Sequence, residues 1–413
     1  SRRLNFRVGG ENISKINSFR IIGQGKNSTL LTLKFFTLKF FNFMLKFKVL
    51  KKDERTLARY SIMKTKTSIV ELPNFMPVAT TGTLKSLTTL DLIEMGSQII
   101  VCNTYHLHLR PGEDLISFFG GLHKFINFKN SILTDSGGFQ AFSLSKFRKV
   151  NEDGFIFKSH IDGSLIELTP KKVIDIQMKL NSDIMMVLDY PTSYPSTYEE
   201  NLISVELTTK WAKISRDYYD EIKPKSAIFG IVQGGFFRDL RERSFSEILE
   251  LDFDGYAIGG LALGEPREER DWVIRTFTPK LPENKPRYVM GIGKPEEIIE
   301  YVSYGVDLFD CVIATRNARR GSVFTSEGVL RIENAKYKND ERPLDLSCDC
   351  KVCKNYSRAY IRYLFSIGEI SAGILASYHS VYFFINFLKK IREAIKGGYF
   401  YEFKKDFLSR YKQ

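Results

Sequence analysis

Two carboxylates, three thiols and one imidazole stand out in this sequence by the company they keep. Asp310 ends an apolar run in Val306-Asp-Leu-Phe-Asp-Cys-Val-Ile-Ala-Thr-Arg-Asn-Ala-Arg319, and a basic loop follows at once. That arrangement suits a nucleophile placed beside a polyanion. Ile132-Leu-Thr-Asp-Ser-Gly-Gly-Phe-Gln140 repeats the design, with Asp135 at the end of the run and a glycine-rich turn that can bring backbone N–H groups close to a ligand. Read as structure alone, Asp310 would cap the next turn and Asp135 would bond the Ser136 and Gly137 amides. Cys348, Cys350 and Cys353 lie within one tight loop, and His379 follows 26 positions after the last of them. Three thiolates and an imidazole are the donor set of a closed, structural zinc site. His106, His108, His123 and His160 show no ligand spacing and read as structural or surface residues.

The elements that must position these groups recur along the chain as a short apolar run, a polar or glycine-containing turn, and a helical stretch. The runs are Phe75 to Thr80, Gln98 to Asn103, Ile132 to Asp135, Ile184 to Asp189, Ala227 to Gln233, Tyr256 to Gly260, Tyr288 to Gly291 and Val306 to Cys311. Helix signals fill the spacers. Thr169-Pro170 can cap a helix, and a second starts near Thr197 with Glu199 and Glu200 in its first turn. Eight apolar strands without alternation predict an α/β fold of the (β/α)8 TIM-barrel type, with active-site residues at the C-terminal strand ends. Asn103, Asp135, Asp189, Gln233, Gly260, Gly291 and Asp310 would then ring one rim. The alternating stretch from Phe155 to Leu168 contains Asp162-Gly163, a hairpin signal, and reads as a β-ribbon.

The expected organisation is a leader over 1–43, a barrel over 44–325, a zinc-binding subdomain over 326–380 and a basic C-terminal helix over 381–413. The chain starts at Ser1, and Met44 opens a natural start, so the first 43 residues read as an over-extended frame or a poorly ordered leader. A basic amphipathic membrane anchor is the competing reading. Lys34, Lys39, Lys46 and Lys48 interrupt the Phe- and Leu-rich stretch there, which falls short of the roughly 18 uncharged residues a spanning helix needs. The balance of 61 Lys and Arg against 48 Asp and Glu points to an anionic partner such as nucleic acid, although Lys-rich codon bias gives the same balance. Five cysteines, three of them clustered, do not make a disulfide framework, and a reducing cytoplasmic setting fits them.

Together these motifs resemble the tRNA-guanine transglycosylases, enzymes of queuosine biosynthesis that exchange a guanine in tRNA for a deazaguanine. The resemblance runs from about Leu72 to His379 and is closest to bacterial members. It implies that Asp310 attacks the ribose C1′ at the wobble guanosine of a G-U-N anticodon, forming a covalent ribosyl-aspartate. Asp135 would be the general acid/base. It places the base among Ser136, Gly137, Gly138, Phe139, Asp189, Gln233, Gly260, Leu261 and Met290, with Glu265 steering the Leu261 peptide. Gly291, Lys294, Thr315, Arg316, Arg319 and Arg320 would meet the tRNA, Cys348, Cys350, Cys353 and His379 would hold one zinc, and the chain would pair as a homodimer. One departure is Asp189-Tyr-Pro-Thr192, where bacterial members read Asp-Glu-Cys; it is closer to the archaeal pattern, against which Gly138 stands. Leu263 favours a small aminomethyl-deazaguanine over bulky queuine. Two rival readings remain, a non-catalytic tRNA-binding partner subunit and a nucleoside hydrolase.

Overall fold

A run of Ile, Val, Leu and Phe without alternation has no polar face to leave in water, so it is stable only when covered on both sides. The structure is a computed structural model that describes residues 45–144 and 148–411; the expected leader over 1–43 lies outside these. The described chain opens with an antiparallel sheet of β1 (Lys46–Lys52), β2 (Arg59–Lys64) and β3 (Ile69–Leu72). Then come β4 (Asn74–Met76), β5 (Ile99–Cys102) and β6 (Ser131–Thr134). A ribbon of β7 (Arg148–Asn151), β8 (Gly154–Lys158) and β9 (Leu165–Leu168) interrupts the series. It resumes with β10 (Ile184–Met186), β11 (Ala227–Val232), β12 (Gly255–Ile258), β13 (Arg287–Val289) and β14 (Leu308–Asp310), and a last hairpin joins β15 (Ser322–Thr325) to β16 (Gly328–Arg331).

The eight apolar runs form one parallel sheet in the order β4-β14-β13-β12-β11-β10-β6-β5. A parallel bridge between Val78 and Val101 closes it, with the Ala79 N–H donating to the Val101 carbonyl at 2.7 Å. The fold is a TIM barrel. Each strand is shorter than its apolar run, because the rim residues leave the ladder to face the open end. Helices form the outer layer where their caps were legible. Thr197 and Glu200 close a reciprocal capping box at the start of Tyr198–Ile222, and the Thr169 hydroxyl accepts the Lys172 N–H at the start of Pro170–Leu180.

The β1–β3 sheet covers the N-terminal end of the barrel through buried polar pairs. The Arg59 guanidinium grips Asp307, just before β14, with Nε 3.0 Å from Oδ1 and Nη2 2.5 Å from Oδ2. Asp183, just before β10, accepts from the Thr67 and Ile132 N–H groups and meets His123 Nε2 at 2.9 Å. The C-terminal end is left open for loops. The ribbon gains a third strand, β7, beyond the hairpin expected from Asp162-Gly163. Beyond the barrel, the helix Ile370–Gly397 runs unbroken across position 380, so His379 and the following basic stretch share one rigid element. Among the described residues no helix is long and apolar enough to cross a membrane.

Candidate active site and metal centre

Parallel strands point the same way, so the two sequence-marked carboxylates arrive on one rim: Asp135 directly after β6 and Asp310 as the last residue of β14. They are close enough for the charge of Asp310 to act on Asp135. Asp135 Oδ2 accepts the Asn103 side-chain amide at 2.6 Å, and Oδ1 accepts the Thr104 and Gly137 N–H groups at 3.0 and 3.2 Å. Burial outweighs these bonds and, helped by Asp310, pushes its carboxyl up to about 7. Asp310 is held differently. Its Oδ1 takes both the Tyr288 hydroxyl at 2.5 Å and the Gly291 N–H at 2.9 Å. Burial raises its pKa while these two donors pull it down. The Tyr288 phenol, buried and facing that carboxylate, is pushed well above its ordinary value and therefore stays a donor.

Beside this pair lies a third buried carboxylate with fixed partners. Asp189 accepts the Ser136 hydroxyl and the Gln233 amide, each at 2.8 Å, and burial raises its pKa. Gly138 is pressed so close that a Cβ would sit 2.5 Å from the Asp189 carbonyl, and no other residue fits there. Gly260 has φ +67° and its missing Cβ leaves room for Gln233 Oε1. The next peptide is turned by Glu265, whose carboxylate accepts the Ala262 and Leu263 N–H groups at 2.6 and 2.7 Å. Leu261 is buried, Met290 half-buried at the end of β13, and Phe139 stands 45% exposed on the helix Gly138–Leu144. The chain thus brings Ser136, Gly138, Asp189 and Gln233 into one contact network.

The residues expected to meet RNA are less uniform. Lys294, Arg316 and Arg320 are exposed. Thr315 is buried, and Arg319 lies partly buried with its side chain against Gly373 and its Nη1 without a hydrogen-bond partner. Gly291 spends its N–H on Asp310, which makes it part of the carboxylate's setting. Tyr288 and Thr104 went unnoticed in the sequence. Tyr288 had a signal, since it shares the period-two face of β13 with Met290.

The second site is the Cys348, Cys350, Cys353 and His379 cluster, whose donor atoms all lie within 4.8 Å of one another. His379 turns Nδ1 toward the thiols, 3.2 Å from Cys353 Sγ and 3.6 Å from Cys350 Sγ, and Nε2 donates to the Phe324 carbonyl at 2.8 Å. That last bond leaves Nδ1 as the lone-pair nitrogen, the orientation a metal ligand needs. Sulfurs around a tetrahedral zinc stand about 3.8 Å apart, so the cluster fits a metal ion with little movement. Of the other histidines, His108 pairs with Glu113 and His160 stacks on Tyr105.

A closed parallel barrel with paired rim carboxylates and an appended thiolate–imidazole cluster is the architecture of the tRNA-guanine transglycosylase class of glycosyltransferases. Residues 53–413 match the family model described as Queuine tRNA-ribosyltransferase. Curated relatives named Queuine tRNA-ribosyltransferase include one from Caldanaerobacter subterraneus, 52% identical over 89% of this chain and 98% of its own length. Others come from Thermodesulfovibrio yellowstonii, 48% identical over 88% of this chain and 94% of the relative, and Acinetobacter baumannii, 48% identical over 86% and 94%. The chain belongs to the queuine tRNA-ribosyltransferase family, and it is an enzyme of bacterial type within it.

Proposed function

We propose that the protein exchanges the wobble guanine of G-U-N anticodons for a deazaguanine by double displacement, with tRNA held at the open rim. The observation that carries this reading is the pair of buried carboxylates on one rim, one of which, Asp135, is pushed up to about 7 by burial with help from Asp310. Asp310 attacks the ribose C1′, the bond from C1′ to the guanine nitrogen breaks, and Asp135 gives its proton to the departing base. The incoming deazaguanine returns a proton to Asp135, takes C1′, and the ester to Asp310 breaks. Two inversions retain the configuration. Asp189 and Ser136 face the N–H edge of the base, Gln233 and the Gly260-Leu261 backbone its oxygen, Gly137 and Gly138 line the turn, and Phe139 and Met290 flank the ring. Lys294, Thr315, Arg316, Arg319 and Arg320, with the Gly291 loop, hold the flanking phosphates and bases of an anticodon whose reacting base has left the stack. Leu263 favours the aminomethyl base over queuine, in a cytoplasmic setting.

Incubating the protein with tRNA carrying labelled guanine should release label and incorporate the aminomethyl base, and Asp310→Asn should lower the rate by about 10⁴-fold or more. Tight binding without release would leave the partner-subunit reading, and release without incorporation a hydrolase. Guanine departure needs Asp135 protonated, and its raised pKa keeps it so up to about 7. The single-turnover rate of guanine loss should therefore fall about tenfold per unit above that point, and fall again toward low pH as Asp310, which must be ionised to attack, takes up a proton; a rate still rising through pH 8 would remove Asp135 from the acid role.

We further propose one structural zinc at Cys348, Cys350, Cys353 and His379, where it would tie the loop after β16 to the long helix. Metal analysis should find one zinc per chain, lost in Cys350→Ser together with thermal stability; full stability without metal would refute the assignment. Tyr360, Tyr363, Ile367 and Ile370 stand exposed on this subdomain, which supports a homodimer built on that face. Sedimentation should give twice the chain mass, and Tyr363→Glu should give a monomer; a wild-type monomer would exclude it.

A further inference from the structure

Arg270 is a buried cation for which the exchange reaction has no evident use. It lies on the helix Arg267–Phe277, behind the base-binding loop, and its side chain is 9% exposed. Nη1 bonds Glu265 Oε1 and Nη2 bonds Glu297 Oε1, each at 2.6 Å, and both carboxylates are buried more deeply than the guanidinium. The two partners belong to different rim loops. Glu265 closes the loop after β12, whose Leu261 faces the base pocket, and Glu297 opens the helix Pro295–Ser303 that follows the β13 loop with Met290, Gly291 and Lys294. One planar guanidinium holds the two acids on separate nitrogens in a fixed geometry, whereas an ammonium would bring both to a single rotating nitrogen.

The consequence for the pocket follows from peptide geometry. Glu265 Oε1 receives the Arg270 bond and also the Ala262 N–H, at 2.6 Å. In a trans peptide the carbonyl points opposite to the N–H. The Leu261 carbonyl is therefore turned away from Glu265, toward the β13 loop: it lies 3.9 Å from where a Cβ on Gly291 would stand, and Ala262 Cβ lies 3.4 Å from the same point. Gly291 in turn gives its N–H to Asp310. A buried charge bridge thus fixes a hydrogen-bond acceptor on the nucleophile's side of the pocket loop. A neutral or protonated Glu265 would bind the two N–H groups more weakly and free that peptide to turn. Burial acts to raise the Glu265 pKa, and the bonds from Arg270 and the loop N–H groups more than reverse it.

We infer that Arg270 is the specificity-setting positioning residue of this pocket: bridging Glu265 and Glu297, it commits the Leu261 carbonyl to accept a hydrogen bond from a base bearing an amine or ammonium side arm. The inference rests on the base-exchange reading. Arg270→Met removes the bridge at similar length, and Arg270→Lys keeps the charge without the fork. With the purified full chain and saturating tRNA, kcat and KM are measured for aminomethyl-deazaguanine and for labelled guanine. Arg270→Met should lower the preference for the amine-bearing base by about tenfold, chiefly through its KM, with guanine exchange and the KM for tRNA changed less than about threefold. Arg270→Lys should restore part of the preference, and if the Met variant does not fold, a drop of about threefold in the Lys variant carries the same conclusion. An unchanged preference, or an equal loss for both bases, overturns the assignment and leaves Arg270 a stability residue. A wild-type protein that exchanges neither base overturns the base-exchange reading, and the inference with it.

Discussion

Closure of the parallel barrel forces two acids onto one buried rim, and much of the site follows from that constraint. Like charges brought together away from water raise each other's proton affinity, on top of the cost of burial itself. The chain answers with donors: Asn103, Thr104 and Gly137 around Asp135, Tyr288 and Gly291 around Asp310. These donors do not fully offset burial, and Asp135 remains poised near 7. With Asp135 poised there, a proton can rest on the acid beside the nucleophile at neutrality. That is the state in which one member can donate a proton while the other attacks, so the geometry and the proposed chemistry need the same balance.

The barrel was legible because its strands are buried on both faces and carry a helix between almost every pair. All eight apolar runs became strands, and the helix starts at Thr169 and Thr197 were written in capping chemistry. Local signals also gave both acids, since a run that ends in Asp and a tight turn means a strand end at the rim. Contacts between distant residues left less trace. Tyr288 reaches Asp310 across neighbouring strands, and Arg270 joins Glu265 to Glu297 across two helices; a one-dimensional pattern holds neither pairing. The third ribbon strand was missed for a related reason. Arg148–Asn151 is too short and polar to announce itself, and pairing with β8 makes it a strand. The metal cluster was readable in type because three cysteines share one loop, but the fixed tautomer of His379 depends on the Phe324 carbonyl, 55 positions away.

The two ends of one strand show what separates a structural acid from a reactive one. Asp307 and Asp310 stand three residues apart, one just before β14 and one at its last position, both surrounded by protein. Asp307 is saturated: Oδ1 takes Arg59 Nε, and Oδ2 takes Arg59 Nη2 and the Arg287 N–H at 2.8 Å, so the carboxylate is neutralised and has no lone pair turned to a substrate. Asp310 has no cation, and both its donors fall on Oδ1; among the described residues no hydrogen bond reaches Oδ2. Oδ2 is left without a donor, and the group is held in direction by the donors on Oδ1. Removing Arg59 would leave Asp307 an uncompensated buried charge, which costs about 3–5 kcal/mol of stability. Giving Asp310 a comparable partner would stabilise the rim and quench its nucleophile. The sequence places the same residue type at both positions, and the difference in saturation assigns stability to one end of the barrel and reactivity to the other.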